Sequence, residues 1–350
     1  MIVKKRYILR ILFSIAGVLL FLGLSFTMEQ YYRLNVSNFR SKDGKKHGYY
    51  IYPHTRIEDV LDMMDKDYNI GSHRDFELHA RSLHFNYPEP GYYLIPENLG
   101  NRELIERLKY GKQDPISLTW TNAERTREQL AAKLGSKLML DSAEVIKRLD
   151  SDSYMEQYGL NKETSRCLFI PNTYEVYWNI TPDQLFERMK YEYDQFWTEQ
   201  RRAKAEKLGM TPVEVAILAS IVESESNNKN ELPTIASLYL NRLRKGMPLQ
   251  ACPTVIYAVG DFSLRRILYR HLAVESPYNT YKHKGLPPGP IRCALPRSID
   301  FVLNAPKTNY LYMCANPSLN GTHIFSATFN GHANAAAEYH SMMNKKKKSK

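Results

Sequence analysis

An uncharged apolar segment near the N-terminus, residues 11–28, constrains this chain more than any other feature. Its length lies within the roughly 17–25 residues that a helix needs to span the hydrocarbon of a bilayer. Lys4, Lys5, Arg6 and Arg10 precede it, so the positive-inside rule places the N-terminus in the cytoplasm and the remaining chain outside. A cleaved signal peptide is the alternative, but its apolar region is typically only about 7–15 residues long, and no A-x-A site follows here. The sequence therefore predicts a single-pass protein of the cell (inner) membrane with its folded part periplasmic or extracytoplasmic.

The composition describes a folded protein attached to this segment. With 350 residues, the chain has room for an anchor and about two domains. Its 43% hydrophobic and 24% charged residues exclude collagen-like, disordered and multi-span classes. Part of the net charge of +11 lies in the stub 1–10 and in a basic tail, 344–350, which is either a solvated end or attracted to anionic lipid or wall polymer. No zinc-finger spacing or RNP-like stretch occurs, so we expect no nucleic-acid partner.

The cysteines and histidines do not predict a metal centre. Four cysteines are widely spaced and contain no C-x-x-C pair: Cys167, Cys252, Cys293 and Cys314. Outside the cytoplasm they would form up to two disulfides, or they are buried free thiols. A metallohydrolase that uses His323, His332 and His340 is an alternative, but their spacing matches no H-E-x-x-H type of motif. We expect neither a metal nor a cofactor.

The remaining chain divides by pattern into a small module and a larger domain. A polar stretch, 29–47, is predicted to be a linker. An aromatic strand near residue 49, helices near 57–64, 74–83 and 101–110, and a strand near 91–96 predict a small α/β module over 48–112. The larger domain is predicted over 113–343.

A helix with strong start signals lies in the middle of this larger domain. Thr211 is a suitable N-cap, Pro212 suits the first helical position, and Glu214 completes a capping box. The following VEVAILASIV is apolar nearly all round, which is typical of a buried helix. Glu223 falls at its C-terminal end, on the face of small residues that leave space beside the carboxylate.

A carboxylate in that position has two interpretations. Desolvation and the negative end of the helix dipole both raise the pKa of Glu223, which would suit a general acid that protonates a glycosidic oxygen. Alternatively, Glu223 caps the helix or pairs with Arg242 or Arg244. Glu225 points elsewhere on the helix, and is predicted to be solvated or paired with a basic side chain.

The segments that follow suggest the walls of a groove. An amphipathic helix over 233–245 ends before Gly246, a residue suited to a helix C-terminus. Gln250 and Thr254 then lie among prolines, which suggests a fixed polar wall. The loops 276–281 and 285–291 are rigid and aromatic with polar edges, a type that lines sugar grooves, although each would also serve as an ordinary structural turn.

Five of these segments resemble the successive motifs of the MltG/YceG family of endolytic murein transglycosylases, in the family's order. They are ASIVESE at 219–225, IASLYLNRL at 235–243, LQ with PTVIY at 249–257, YNTY at 278–281, and GLPPGPI at 285–291. Segments 169–174, 306–312 and 321–325, with the later His332, resemble other motifs of the family. The resemblance covers roughly 49–339.

The resemblance implies both the fold and the site residues. The fold would be α+β, with a transmembrane helix, a small LysM-like module and a mixed α+β catalytic domain of the YceG type. The family's catalytic glutamate falls on Glu223, and its neighbouring motifs place five further residues in or near the glycan groove: Gln250, Thr254, Tyr278, Asn279 and Tyr281. Asn172 departs from the family's usual Asp, which leaves any role of that Asp open here.

The resemblance also implies a reaction. The enzyme would cleave the MurNAc–GlcNAc bond of nascent glycan strands near the membrane, leave 1,6-anhydroMurNAc ends and terminate glycan elongation. No water attacks, because the 6-hydroxyl of MurNAc closes onto its own C1, so one carboxyl group can serve as acid and then as base. Peptidoglycan glycan strands are the expected substrate, and peptidoglycan synthases are candidate partners. A non-enzymatic wall-binding or scaffold protein is the alternative.

Overall fold

A computed structural model describes residues 2–264 and 266–348, with side chains at 11–32, 36–264 and 266–344. Two compact units make up the chain. The first consists of the chain up to Ser117 together with Glu175–Asn179, and the second consists of Leu118–Tyr174 together with the chain from Ile180 on. The first unit thus ends later than the predicted boundary at 112 and takes in a short later segment.

The N-terminal helix α1, Ile2–Asn35, contains the predicted membrane segment. Within it, Ile11–Tyr32 is 22 residues long, has a mean hydropathy of 2.3 and is not buried by the rest of the protein. By length and composition this segment is able to cross a membrane, since a run of exposed apolar side chains of this extent is rare on a protein surface that faces water. An N-terminal apolar helix of this kind is consistent with the predicted anchor.

The structure differs from the predicted linker at 29–47. Helix α1 continues to Asn35, and strand β1 (Ser37–Ser41) begins two residues later. Phe39 in β1 is fully buried and packs edge-on against Phe76, with ring centroids 5.4 Å apart. This polar segment is therefore part of the folded unit, because one aromatic side chain and strand pairing hold it in the core.

Besides α1, the first unit combines short antiparallel strands with three shorter helices. After β1 its elements are β2 (His47–Ile51), α2 (Ile57–Met64), β3 (Tyr68–Ile70), α3 (His73–Ser82), β4 (Gly91–Ile95), β5 (Asn98–Gly100) and α4 (Asn101–Lys109). Strand β1 lies between β3 and β5, while β2 pairs with β4, both antiparallel. A single buried cluster that includes Phe39, Tyr93 and Leu104 fills the unit. The predicted helices and strands of this module are present within one or two residues of their expected bounds.

The second unit is mainly helical. The chain enters this unit within strand β6 (Ile116–Thr119) and leaves it within strand β7 (Thr173–Val176), and the two strands form a two-stranded sheet. Between them in sequence lie α5 (Arg127–Gly135), α6 (Ser142–Leu149) and α7 (Asp152–Met155). Then follow α8 (Pro182–Phe196), α9 (Glu199–Lys207), α10 (Pro212–Glu225), α11 (Leu232–Arg244), α12 (Cys252–Val259), α13 (Tyr269–Leu272) and α14 (Pro296–Leu303). A second two-stranded sheet, β8 (Tyr312–Ala315) with β9 (His323–Ser326), precedes the last helix, α15 (Phe329–Lys348).

Helix α10 is the centre of this unit. Thr211 accepts a hydrogen bond from the backbone N–H of Glu214, and the Glu214 side chain accepts one from the backbone N–H of Thr211, so the predicted capping box is present. Every residue from Val215 to Val222 is buried, with α11, α12 and α14 packed around the helix. The buried helix predicted from its apolar sequence is therefore confirmed, and it fixes the position of the acidic residues at its end.

Candidate active site

Glu223 and Glu225 close helix α10 and point to different sides of it. Residues two apart on an α-helix are separated by about 200° around the axis, since each residue turns the helix by about 100°. Their carboxylates consequently contact different residues.

Glu223 is held by two donors. The side-chain amide of Asn122 donates to Oε1, and the backbone N–H of Leu295 donates to Oε2 at 3.1 Å. Burial raises the pKa of Glu223, while the Leu295 N–H, the charge of Arg292 and the Asn122 amide act in the opposite direction. The predicted direction of the pKa shift is thus present, and both carboxylate oxygens are engaged within the protein.

Glu225 lies in a different environment. Its Oε1 accepts a hydrogen bond from the hydroxyl of Tyr239 on the neighbouring helix α11. Burial raises the pKa of Glu225 to about 7, although the Tyr239 hydroxyl and the charge of Arg242 both lower it. A carboxyl group with this pKa is close to half-protonated at neutral pH, which is the condition that general acid–base catalysis favours.

Glu225 also lines an open cleft of about 430 Å³, whereas Glu223 does not. The polar side chains around the cleft come from α10, α11, the segment before α12, the 276–281 loop and β9. They include Glu225, Tyr239, Arg242, Gln250, Tyr281 and His323. Convergent polar groups with a shifted pKa in a cleft are the usual features of an active site.

Arg242 holds one wall of this cleft in place. Its Nε donates to the carbonyl oxygen of Leu311 at 2.6 Å, and its Nη1 donates to the carbonyl oxygen of Leu249 at 2.9 Å. The same Nη1 donates to Oε1 of Gln250 at 3.2 Å. Gln250 adopts a φ of 52°, in the left-handed region that non-glycine residues rarely occupy. The guanidinium therefore fixes both the backbone turn and the side chain of Gln250.

Two of the five predicted substrate-binding residues line the cleft. Gln250 is exposed, and Tyr281 lies with its hydroxyl 3.4 Å from the thiol of Cys252, which also lines the cleft. Both can reach a ligand bound beside Glu225.

The other three predicted residues are buried and bind protein groups. Thr254 donates to the carbonyl oxygen of Ala251 at 2.8 Å and is fully buried. The Tyr278 hydroxyl donates to Oε2 of Glu163 at 2.8 Å. Asn279 is fully buried, and its amide donates to the carbonyl oxygens of Leu272 and Val274, at the end of α13 and just after it. These side chains shape the loops that form the wall and do not line the cleft.

His323 lines the cleft; the sequence suggested it as a ligand of a metallohydrolase or as a structural or groove histidine. Its backbone N–H donates to Oε1 of Glu231 at 2.6 Å, and its ring Nδ1 lies 3.1 Å from Oε2 of the same carboxylate. Glu231 immediately precedes α11. Its two contacts with His323 orient the histidine ring. The signal in the sequence was the GTHIF segment, whose Glu231 partner is 92 residues away.

The described residues contain no group of three or more His, Cys, Asp or Glu side chains arranged to hold a metal ion. His323 and His332 line the cleft, while His340 is exposed on α15. The four cysteines are free thiols, with Cys167 and Cys293 buried and the other two at the cleft.

Comparisons with known proteins agree with the motifs. A sequence profile described as the YceG-like family matches residues 49–338. A protein named endolytic murein transglycosylase from Bacillus subtilis (strain 168) is 29% identical over 308 residues, which cover 83% of this chain and 84% of that protein. Another of the same name, from Streptococcus pneumoniae (strain D39), is 26% identical over 69% of this chain, but the match spans only 49% of that longer protein.

A solved structure has the same fold. The crystal structure of a YceG-like protein from Listeria monocytogenes is 27% identical, with a TM-score of 0.54, and the match covers 83% of this chain and 98% of that one.

Proposed function

The chain belongs to the YceG-like family, and on this premise we propose that it is an endolytic lytic transglycosylase of peptidoglycan. The relatives named endolytic murein transglycosylase support this activity, and the Bacillus protein matches most of the chain. The single structural observation that carries the proposal is Glu225, a carboxyl group with a pKa of about 7 in a polar cleft. The substrate would be the MurNAc–GlcNAc bond within a glycan strand.

One carboxyl group is enough for this reaction. Protonated Glu225 donates its proton to the glycosidic oxygen as the bond from MurNAc C1 to GlcNAc O4 breaks. The resulting carboxylate then accepts the proton of the MurNAc 6-hydroxyl while O6 bonds to C1. The products are a strand ending in 1,6-anhydroMurNAc and a strand with a free GlcNAc 4-hydroxyl, and Glu225 is again protonated.

The site geometry favours Glu225 over Glu223 for this role. Glu225 meets the cleft and keeps one carboxylate oxygen without a hydrogen bond from the described residues, whereas both oxygens of Glu223 accept hydrogen bonds from Asn122 and Leu295. The assignment of the acid to Glu223 stays a prediction. In the present proposal Glu223 instead connects α10 to the segments that carry Asn122 and Leu295.

A pair of matched variants separates the two assignments. Full-length protein in detergent is incubated with peptidoglycan, and anhydromuropeptide ends are counted by mass spectrometry. We expect Glu225→Gln to lower the rate by about 10²–10⁴-fold, the usual contribution of a general acid or base. Glu223→Gln keeps the shape of the side chain and one of its two acceptor oxygens, so it should retain far more activity than Glu225→Gln.

Three outcomes would contradict these proposals in different ways. Loss of activity in Glu223→Gln with an active Glu225→Gln would restore the first assignment. Reducing-end products would replace transglycosylation by hydrolysis. Inactive wild-type protein that still binds glycan would favour the wall-binding alternative.

The location of the reaction is part of the same proposal. Helix α1 would anchor the protein in the cell membrane with its N-terminus in the cytoplasm, so that the second unit meets nascent strands outside and ends their elongation. The LysM-like nature of the first unit and an association with peptidoglycan synthases both stay predictions. Protease accessibility of the folded units in intact spheroplasts tests the orientation.

A further inference from the structure

A small second pocket in the second unit contains two arginines. It has a volume of about 80 Å³ and is lined by Arg125, Arg292, Ser224, Pro253, Tyr257 and Phe262, together with two isoleucines. A water molecule needs roughly 10–15 Å³ of such space, so the pocket admits a group the size of a carboxylate.

The two guanidinium groups in this pocket make no direct contact with a carboxylate among the described residues. Neither Arg125 nor Arg292 forms a salt bridge with any carboxylate among the described residues, and Nε of Arg292 is buried without a hydrogen-bond partner. The guanidinium of Arg125 lies 5.0 Å from the ring centroid of Phe262. Burial and the charge of Arg125 both lower the pKa of Arg292, so the two cations lie close enough to repel each other.

The carboxylate of Glu223 lies near Arg292, and its charge raises the pKa of Arg292. It offsets part of the positive charge of the pocket, but its two oxygens accept hydrogen bonds from Asn122 and Leu295 and not from the Arg292 guanidinium. The contrast with Arg166 is informative, because Arg166 donates to the Tyr257 hydroxyl and to two carbonyl oxygens and so serves a structural role. Two cations with unused donors in one pocket are therefore suited to an anion from outside the protein.

The pocket adjoins the cleft that contains Glu225. Ser224 lines the pocket and the next residue, Glu225, lines the cleft. Likewise, Pro253 lines the pocket and the preceding Cys252 lines the cleft. Residues adjacent in the chain therefore line the two cavities in two places, so the pocket lies close to the cleft that would hold the substrate.

We propose that Arg125 and Arg292 form a subsite for a carboxylate of the peptide attached to the MurNAc residue. The inference rests on the proposed function, because the substrate would then be peptidoglycan. Its MurNAc units carry peptides, attached through a lactyl ether, and these peptides have free carboxyl groups. The subsite discriminates peptide-bearing strands from peptide-free strands. It thereby determines specificity and takes no part in the proton transfers.

Three matched substrates test this subsite with the full-length protein. They are glycan strands with free peptide carboxyl groups, the same strands with those groups amidated, and strands stripped of peptide by an amidase. We expect wild type to show a KM for the free-acid strands about tenfold below that for the other two, the effect of a charge-assisted hydrogen bond of modest strength. Arg292→Gln and Arg125→Gln should bring the three KM values together, and Arg292→Lys should restore part of the preference.

Arg297 supplies the control. It lies five residues after Arg292, is exposed and is outside the pocket. Arg297→Gln should therefore keep the wild-type preference. Thermal unfolding of each variant identifies any that fail to fold. If one of the two arginine positions does not tolerate substitution, the test uses the variant at the other position.

The possible failures are distinguishable. Wild type that cleaves all three substrates with equal KM overturns the subsite while the proposed function stands. Arginine variants whose KM rises by the same factor on all three substrates also overturn the subsite, since a uniform effect indicates a structural role. If wild type has the same low KM for free-acid and amidated strands and a higher KM for strands without peptide, a carboxylate is excluded as the ligand. Wild type that cleaves none of them contradicts the proposed function itself.

Discussion

Replacing Tyr239 by Phe should move the pH dependence of the reaction to higher pH. The hydroxyl of Tyr239 donates to the carboxylate of Glu225, and this hydrogen bond lowers the pKa of that carboxyl group against the opposite effect of burial. Phenylalanine keeps the ring in the same space and removes only the donor. The protonated form of Glu225 then persists to higher pH.

The size of the shift follows from the strength of the lost hydrogen bond. A hydrogen bond to a charged group contributes about 1.5–3 kcal/mol, and one pKa unit corresponds to about 1.4 kcal/mol. The pKa of Glu225, about 7 in the wild type, should therefore rise by about 1–2 units in Tyr239→Phe. The free enzyme must carry the proton to act as an acid. The alkaline limb of the pH profile of kcat/KM should therefore move to higher pH by the same amount.

The assay is the initial rate of anhydromuropeptide formation at low substrate concentration from pH 5 to pH 10. Tyr158→Phe is the matched control, because the Tyr158 hydroxyl donates to a different carboxylate, that of Glu187, at 3.0 Å. Its pH profile should follow the wild type. An unchanged or acid-shifted limb in Tyr239→Phe would refute Glu225 as the titrating acid.

The remaining predictions concern stability and membrane attachment. The pKa of Glu225 is about 7 in the folded protein against 4.5 when unperturbed, so folding favours the protonated form of this side chain. The free energy of unfolding should therefore fall as pH rises from about 4.5 to about 7. Urea unfolding should show Glu225→Gln more stable than wild type at pH 8 by up to about 3 kcal/mol, with no gain at pH 4. Asn279→Ala leaves the carbonyl oxygens of Leu272 and Val274 without their donor, so its thermal unfolding should indicate a loss of about 2–4 kcal/mol. Leu20→Arg in α1 should weaken membrane insertion by about 3 kcal/mol and shift the protein from the membrane pellet to the soluble fraction; full retention would contradict the anchor.

Local sequence patterns were sufficient for helix α10 and insufficient for choosing between its two acids. The capping box at Thr211 and the apolar run fix where the helix begins and that it is buried. The helical period also places Glu223 and Glu225 on different sides. Which of the two sides faces a cleft depends on Tyr239 of α11 and on strand β9. These residues are distant in the chain, so the sequence near the end of α10 does not predict their contacts.

The same limitation explains Thr254 and Asn279. A polar residue in a proline-rich loop either faces a ligand or satisfies a buried backbone group, and both alternatives favour the same residue types. Only the folded loop distinguishes them, because the partners of Thr254 and Asn279 are carbonyl oxygens of nearby turns. The strand at Ser37–Ser41 was missed for a related reason, since its hydrogen-bonding partners lie near residues 69 and 99.

The short connection between α1 and β1 has a consequence for how such an enzyme would find its substrate. A single residue separates the end of the helix at Asn35 from the strand at Ser37, and one extended residue spans only about 3.5 Å. With α1 in a bilayer, the first unit would have almost no freedom to leave the surface. Encounters would then be governed by lateral diffusion and surface density, and the height of the first unit above the lipid would be set by its own fold instead of by a flexible tether.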